Sequence, residues 1–282
     1  MSEADRPVLS AELQAKLDAC RAALRSLDRV AVAFSGGVDS TFLVALAAEA
    51  MGPENVLAVM GLSPSFARGE REPARRLAAS LGVELVEIET GELADAAYAA
   101  NRPDRCYHCK RDLLRRVGAA AGERGISTVA TGANADDTGD FRPGLRAGRE
   151  FGAAAPLIDA GLTKAEIRSA SRAMGLATWD KPSMACLASR VPYGRAITAA
   201  VLGRIERAEE ALRSAGFVQC RVRDHGAIAR IEVPSGEVVA AAERAAELAT
   251  ALKALGYTYV ALDLEGFRSG SLNEALAADG GE

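Results

Sequence analysis

The sequence predicts an α/β protein with a Rossmann-like, doubly wound parallel sheet and a small C-terminal α+β domain. In the first part of the chain, short apolar segments alternate with helical ones, and the apolar runs are continuous rather than interrupted by polar residues. Such runs are typical of parallel strands that helices cover on both faces. A glycine-rich turn follows the first strand, at the edge where such sheets bind ligands.

The elements of this first part follow from their apolar spacing. Strands are predicted over residues 30–34, 55–62, 83–90 and 127–132, and helices over residues 40–51, 71–82 and 112–125. An opening helix has apolar residues every three or four positions, which places them on one face: Leu13, Leu17, Cys20, Leu24 and Leu27. We expect Cys20 to be a buried structural thiol on that face.

The pattern changes after about residue 191. A helix is predicted over residues 200–216, paired strands over 217–225 and 227–234, a second helix over 235–256 and a closing strand over 257–266. This α-β-β-α-β order predicts a small α+β domain. We therefore divide the chain into residues 1–194 and 195–282, and we expect the second part to serve substrate binding or oligomerisation.

Composition narrows the class of protein. The chain has 282 residues, of which 49% are hydrophobic, and a net charge of −4, so nothing predicts a strongly basic surface for nucleic acid. Its start lacks a signal-peptide pattern, and no apolar run approaches the roughly 20 residues that span a bilayer. We expect a cytoplasmic protein without a membrane partner, whose five cysteines are reduced thiols or ligands rather than disulfides.

The stretch "SGGVDS", residues 35–40, lies between the first strand and the next helix. Its glycines allow close backbone approach to a phosphate, and the helix start offers unpaired N–H donors. Ser35 and Ser40 add hydroxyl groups, and Asp39 is suited to bind Mg²⁺. The lysine of a Walker A loop is missing. The alternative is an ordinary turn with Ser40 as the helix N-cap.

This motif resembles that of the PP-loop ATP pyrophosphatases, which carry SGGxDS after the first strand. The resemblance implies that ATP is cleaved between its α- and β-phosphates and that a substrate oxygen is adenylated. A loop that holds departing pyrophosphate accounts for the missing lysine. The implied contacts to ATP or pyrophosphate come from the loop and from two strand ends: Ser35, Gly36, Gly37, Asp39, Ser40, Met60 beside the adenine, and Gly132.

Three cysteines form a second candidate site. Cys106 and Cys109 form a C-x-x-C pair just before a predicted helix, and Cys186 lies in a loop bounded by proline and glycine. Three thiolates suit a 4Fe–4S cluster with one iron left open. Spacing alone also allows zinc with His108 as fourth ligand, a redox pair or unligated structural thiols. Cys220 has no motif, and we expect it to be structural.

The chain resembles the LarE family over nearly its whole length, in the stretches "RCYHCK", "TGANADDTGDFRPGLRA", "PLIDAGLTKAEIR", "KPSMACLASRVPYG" and "RVRDHGAIARIEV". The resemblance implies an ATP-dependent sulfur transferase of nickel-pincer nucleotide biosynthesis, acting on pyridinium-3,5-biscarboxylate mononucleotide. Some members surrender the sulfur of one cysteine. The presence of Cys106, Cys109 and Cys186 instead matches members that hold a 4Fe–4S cluster delivering sulfide, with Cys186 as the catalytic cysteine.

The substrate that the resemblance implies is an anion, so we expect basic residues in its binding site. Ser189 and Arg190 resemble LarE positions that face the substrate. Arg221 and Arg223 lie two apart on one strand, hence on one face, and are suited to bind a phosphate. Their alternative is a solvated strand face. Lys181 and Arg190 would favour the Cys186 thiolate if they face it.

The sequence leaves the roles of several carboxylates open. Glu209 is expected to bind metal or substrate, with a helix-surface carboxylate as the alternative. Asp136, Asp137 and Asp140 follow Gly132 and would support Mg²⁺ or orient the loop, or they are plain turn residues.

Two other functions remain at this point. A tRNA thiolase of the PP-loop superfamily would also combine this loop with cysteines, although the chain shows no added basic RNA-binding module. A non-catalytic ATP-binding protein would have no need of Cys186. The sequence specifies neither the sulfide donor nor whether the chain forms a homo-oligomer.

Overall fold

The computed structural model describes residues 7–139, 143–182 and 185–268. It contains two compact units, one formed by residues 7–98 and 104–182 and the other by residues 99–103 and 185–268. The segment with Cys186 thus belongs to the second unit, whereas the predicted boundary follows residue 194. The separate roles expected of the two parts stay predictions.

The first unit contains a parallel sheet of four strands. Its strands are β1 (Val30–Ala33), β2 (Val56–Leu62), β3 (Glu84–Glu89) and β4 (Thr128–Thr131). They lie in the order β3-β2-β1-β4, and all three pairings are parallel. The predicted parallel α/β sheet is confirmed. The chain leaves β1 for β2 on one side and reaches β4 on the other, which creates a ligand-binding switch point at the end of β1.

Helices cover both faces of this sheet. The helices of this part of the chain are α1 (Ala11–Arg25), α2 (Val38–Met51), α3 (Arg71–Ser80), α4 (Ala96–Ala99), α5 (Arg105–Gly122), α6 (Pro143–Phe151), α7 (Pro156–Asp159) and α8 (Lys164–Ala173). Val30 and Val32 pack with α1, α2 and α8, while Ala31 packs with α5 on the other face. The predicted apolar face of α1 is confirmed by the burial of Leu13, Leu17, Cys20 and Leu24.

Some helix boundaries differ from the prediction. α5 begins at Arg105, so Cys106 and Cys109 lie inside the first turns of the helix and not before it. α8 was not predicted, although Thr163 and Glu166 form a capping box that marks its start. Among the residues that the structure describes, no helix is long and apolar enough to cross a membrane.

The second unit contains α9 (Ala199–Ser214), β5 (Arg221–Asp224), β6 (Ile228–Glu232), α10 (Val238–Glu243), α11 (Ala245–Ala254) and β7 (Tyr259–Leu262). Its sheet has the order β5-β6-β7, with an antiparallel and then a parallel pairing. The predicted order of helices and strands is confirmed, except that two helices, α10 and α11, replace the one helix predicted over residues 235–256. The break falls at Arg244, whose guanidinium bonds the carbonyl of Ala215 and stacks over Phe217.

The short segment of residues 99–103, here called the strap, belongs to the second unit. Asn101 is fully buried and has a φ of +54°, a conformation that asparagine tolerates better than most residues. Its side-chain amide donates to the backbone carbonyls of Val191 and Pro192 at 3.2 and 2.7 Å. Its backbone carbonyl accepts from the N–H of Gly194 at 3.0 Å. The strap thereby fixes the chain that follows the Cys186 segment.

Candidate active site

The predicted phosphate loop forms a compact turn at the end of β1. The hydroxyl groups of Ser35 and Ser40 lie 3.1 Å apart, and the Ser40 hydroxyl also accepts from the N–H of Ser35 at 3.2 Å. Gly36 has a φ of +69°, and a Cβ there would lie 2.8 Å from the Cβ of Ala74. Gly37 is the N-cap of α2, so the alternative in which Ser40 caps that helix is wrong.

The loop meets the end of β4 directly. A Cβ on Gly132 would lie 2.9 Å from the backbone nitrogen of Ser40, which no side-chain movement could relieve. Gly132 therefore lets the strand end approach the start of α2. Met60, predicted beside the adenine, is completely buried in the core at β2. Its place beside the adenine therefore stays a prediction.

Asp39 lies among polar residues from two later segments. The side-chain amide of Asn134 donates to Asp39 at 3.2 Å, and the backbone N–H of Asn134 donates to Asp137 at 3.2 Å. The Nζ atom of Lys164 lies 3.2 Å from the Oδ1 atom of Asp137. Burial, and next the charge of Asp137, raise the pKa of Asp39, which Lys164 and Asn134 partly oppose. A bound cation would favour the ionised carboxylate, so this donor set fits Mg²⁺.

Asn134 and Lys164 are parts of this cluster that the sequence reasoning missed. The signal available for Asn134 was its position three residues after the end of β4, at the ligand-binding edge of the sheet. Asp136 accepts from the backbone N–H of Lys164 at 2.8 Å, which orients the loop. Asp140 lies outside the described residues.

The five cysteines fall into two groups. Cys106 and Cys186 are exposed and Cys109 is half-buried, whereas Cys20 and Cys220 are buried. Burial raises the pKa of Cys20 to about 12 and that of Cys220 to about 11. Both thiols are thus buried, as predicted for Cys20, and Cys220 also donates to the backbone carbonyl of Glu209 at 3.6 Å.

The C-x-x-C pair lies on one face of α5, since residues three apart in a helix are neighbours. His108 lies between two carboxylates, with ring nitrogens 3.4 Å from Asp95 and 3.4 Å from Asp104. Within residues 7–139, 143–182 and 185–268, no group of three or more His, Cys, Asp or Glu side chains is close enough to hold a metal ion. The cluster therefore stays a prediction.

The turn after Cys186 is held by a buried arginine. Cys186 directly precedes a short 3₁₀ turn, Leu187–Arg190. The Nη1 atom of Arg190 donates to the carbonyls of Ala185 and Cys186 at 2.6 and 3.1 Å, and to the Ser189 hydroxyl at 2.9 Å. The rest of the guanidinium bonds Glu209, at 2.7 Å from Nε and 3.1 Å from Nη2. The backbone at Cys186 is therefore fixed while its side chain is exposed.

Glu209 is almost fully buried, so the alternative of a helix-surface carboxylate is wrong. Besides Arg190, it accepts from the backbone N–H of Val222 at 3.2 Å. This contact joins α9 to β5. Both oxygens of Glu209 are thus engaged within the protein.

Arg221 and Arg223 are also buried, so a solvated strand face is wrong for both. Arg223 bonds Glu232 through Nε and Nη2 at 2.9 and 2.8 Å, and its Nη1 donates to the carbonyl of Ser189 at 2.7 Å. Arg221 donates to the carbonyl of Cys220 at 3.2 Å. Burial, and then the charge of Arg190, lower the pKa of Arg221 to about 10. The residues predicted to face the substrate therefore gather in the second unit.

Comparison with known proteins agrees with this geometry. The chain matches the NAD synthase family over residues 13–121. The pyridinium-3,5-bisthiocarboxylic acid mononucleotide synthase of Lactiplantibacillus plantarum is 38% identical over 90% of this chain and 92% of its own length. An uncharacterized protein of Synechocystis sp. is 40% identical over 94% of this chain and 99% of its own length. An uncharacterized protein of Methanocaldococcus jannaschii is 28% identical over 86% of this chain and 91% of its own length.

A parallel α/β sheet with a glycine-rich phosphate loop after its first strand defines a PP-loop, NAD synthase-like domain. The length and identity of the match to the Lactiplantibacillus enzyme narrow this class further. The chain belongs to the LarE family, and the predicted resemblance is confirmed.

Proposed function

We propose that the protein is an ATP-dependent sulfur transferase, which adenylates carboxylates of pyridinium-3,5-biscarboxylate mononucleotide and converts them into thiocarboxylates. The observation that carries this proposal is the exposure of Cys186 on a backbone that a buried arginine fixes, in a chain that also has a phosphate loop. The name of the Lactiplantibacillus relative supports the identity of the product.

The first unit would supply the activation step. In this proposal Ser35, Gly36, Gly37 and Ser40 hold the β- and γ-phosphates of ATP, while Asp39 binds Mg²⁺. The backbone at Met60 and Gly132 would lie beside the nucleotide. A substrate carboxylate oxygen attacks the α-phosphorus, the bond to the β-phosphate breaks, and pyrophosphate leaves. The carboxylate thereby gains AMP as a leaving group in place of oxide.

The second unit would bind the substrate. Arg221 and Arg223 would face its phosphate or carboxylates. Burial and the charge of Arg190 lower the pKa of Arg221, and a bound anion beside it would oppose that lowering. Ser189, Arg190 and Glu209 would form the wall beside Cys186. A sulfur nucleophile then attacks the carbonyl carbon of the acyl-adenylate, the bond to the AMP oxygen breaks, and the thiocarboxylate and AMP are released.

Cys106, Cys109 and Cys186 would hold a 4Fe–4S cluster, since accessible thiolates are the donors such a cluster requires. With three protein ligands, the bound cluster would supply an iron able to carry a transferable sulfide. Cys106 lies in the first turn of α5, where a helix N-terminus would stabilise the negative charge of a thiolate-ligated cluster.

The test is product formation by cysteine variants under anaerobic conditions. Cys186→Ala should abolish thiocarboxylate formation, and Cys106→Ala or Cys109→Ala should lower both product and bound iron. Cys20→Ala is the matched control, since that thiol is buried in the hydrophobic core of the first unit, and it should keep both. Full product formation by Cys186→Ala would refute the proposal, and sulfur incorporated into tRNA instead would support the rival thiolase.

A further inference from the structure

A lysine from a distant segment holds the backbone of the phosphate loop. The Nζ of Lys181 donates to the carbonyl of Gly36 at 2.9 Å and to the carboxylate of Glu70 at 2.5 Å. The side chains of Lys181 and Glu70 are only 21% and 20% exposed. Lys181 was predicted to favour the Cys186 thiolate if it faced it, and its ammonium group instead contacts the loop.

The backbone of Lys181 is itself anchored. Arg168, on α8, donates to the carbonyls of Trp179 and Lys181, at 2.8 Å in both cases. The N–H of Lys181 donates to the carbonyl of Thr178 at 3.0 Å. The lysine therefore extends from a fixed turn to Gly36, and its position does not depend on a freely moving chain.

The contact determines which way the peptide between Gly36 and Gly37 faces. In a trans peptide the carbonyl and the N–H point in opposite directions. Because Lys181 bonds the carbonyl of Gly36, the N–H of Gly37 faces the other side, where it lies 3.4 Å from the Ser35 hydroxyl. Because that hydrogen bond is long and therefore weak, the N–H can exchange it for a bond to an anion at little cost in free energy.

Two glycines make this peptide easy to turn over. Glycine accepts positive and negative φ about equally, so a flip of the Gly36–Gly37 peptide meets little steric resistance. A flipped peptide would present the carbonyl oxygen to the phosphate and repel it. Inside the loop the long bond from the Gly37 N–H to Ser35 opposes this flip weakly, and Lys181 adds a hydrogen bond of 2.9 Å to the Gly36 carbonyl from outside the loop.

We propose that Lys181 is a positioning residue of the ATP site: it holds the Gly36 carbonyl so that the Gly37 N–H stays available to the departing pyrophosphate. Glu70 fixes the ammonium group in place. This inference rests on the proposed function, because it requires pyrophosphate to bind at the loop. It differs from a Walker lysine, whose ammonium group contacts the phosphates directly.

The first test measures binding of inorganic pyrophosphate and of AMP by calorimetry. Lys181→Met should weaken pyrophosphate binding about tenfold, the effect of losing a charge-assisted hydrogen bond, and leave AMP binding unchanged. Lys181→Arg should restore most of the affinity, since a guanidinium can donate to the same carbonyl. Lys253→Met, at an exposed lysine, is the control. Unchanged pyrophosphate binding in folded Lys181→Met would overturn the proposal.

The second test uses Glu70 to separate positioning from direct phosphate contact. If Lys181 positions the loop, Glu70→Gln loosens it and weakens pyrophosphate binding. If Lys181 leaves Glu70 for the phosphate, the same variant frees the ammonium group and strengthens binding, which would overturn the proposal. Glu72→Gln is the matched control on α3, because Glu72 is exposed and pairs with Arg76.

Failure of this inference differs from failure of the proposed function. Wild-type protein that binds neither ATP nor pyrophosphate would refute the ATP site itself. Wild-type protein that binds both, with Lys181→Met equal to it, would refute only the role of Lys181. Thermal unfolding of each variant, measured without ligand, shows that the compared proteins are folded.

Discussion

Arg190 bonds both carboxylate oxygens of Glu209, at 2.7 and 3.1 Å, while its remaining nitrogen donates to the carbonyl of Cys186 at 3.1 Å. The two side chains are only 1% and 2% exposed. The backbone of the proposed catalytic cysteine is thus tied, through one buried ion pair, to the middle of α9.

The first prediction concerns this pair. Arg190→Met or Glu209→Ala alone should lower the free energy of unfolding by about 3–5 kcal/mol, because each leaves a buried charge without its partner. The double variant should lose clearly less than the sum of the two. Chemical denaturation of the four proteins completes the cycle, and additive losses would mean that the two side chains are not coupled.

The second prediction concerns the contact of Gly132 with the phosphate loop. Gly132→Ala should destabilise the protein by about 1–3 kcal/mol and weaken ATP binding about tenfold, since the new methyl group would force β4 away from the start of α2. Gly148→Ala is the control, because a Cβ there has no neighbour within 4 Å. Equal ATP affinity in both variants would argue against Gly132 as part of the site.

The third prediction concerns pH. The raised pKa of Asp39 means that its ionisation opposes folding, so this cost appears as the pH rises from the ordinary value of 3.8 through the higher pKa of the folded state. Asp39→Asn should therefore raise the unfolding temperature of the ligand-free protein at pH 7. The gain should vanish below pH 3.8, where wild-type Asp39 is protonated in both states.

The same variant should lose the stabilisation that Mg²⁺ and ATP give the wild type, because the proposed cation ligand is gone. Unfolding curves recorded with and without Mg²⁺ and ATP measure both effects. A destabilised ligand-free Asp39→Asn at pH 7 would contradict the environment described for Asp39.

The fourth prediction concerns thiol reactivity. In metal-free protein, iodoacetamide should modify Cys186 and Cys106 first and Cys109 more slowly, because only these three reach the surface. Cys20 and Cys220 should stay unmodified until the protein unfolds, since burial and pKa values of about 12 and 11 keep them as thiols. Peptide mass spectrometry gives the order, and early modification of Cys20 or Cys220 would contradict it.

The phosphate loop could be predicted because its chemistry lies in consecutive residues. The supporting contacts could not, because they join distant parts of the chain. Lys181 and Gly36 are 145 positions apart, and Asn134 and Asp39 are 95 apart. No local periodicity relates such residues, and only the folded sheet brings them together.

Arg221 and Arg223 show a different limit of prediction from sequence. The spacing of Arg221 and Arg223 correctly places both on one face of a strand, but the strand could have been solvated or buried. For Arg223 the deciding features are Glu232, on the neighbouring strand, and the carbonyl of Ser189, whereas Arg221 lies over the ring of Phe267. Burial of a charged side chain depends on such partners, which the spacing along one strand does not reveal.

The measurement that tests the central claim most directly follows the carboxylate oxygens. Cluster-loaded protein is incubated anaerobically with ATP, Mg²⁺, sulfide and the mononucleotide labelled with heavy oxygen in its carboxylates, and all products are weighed by mass spectrometry. We predict sulfur in place of oxygen in the mononucleotide, one labelled oxygen in AMP for each sulfur introduced, and an unchanged mass at Cys186 after several turnovers. Labelled oxygen in inorganic phosphate, or a mononucleotide without sulfur, would contradict adenylation followed by sulfur transfer.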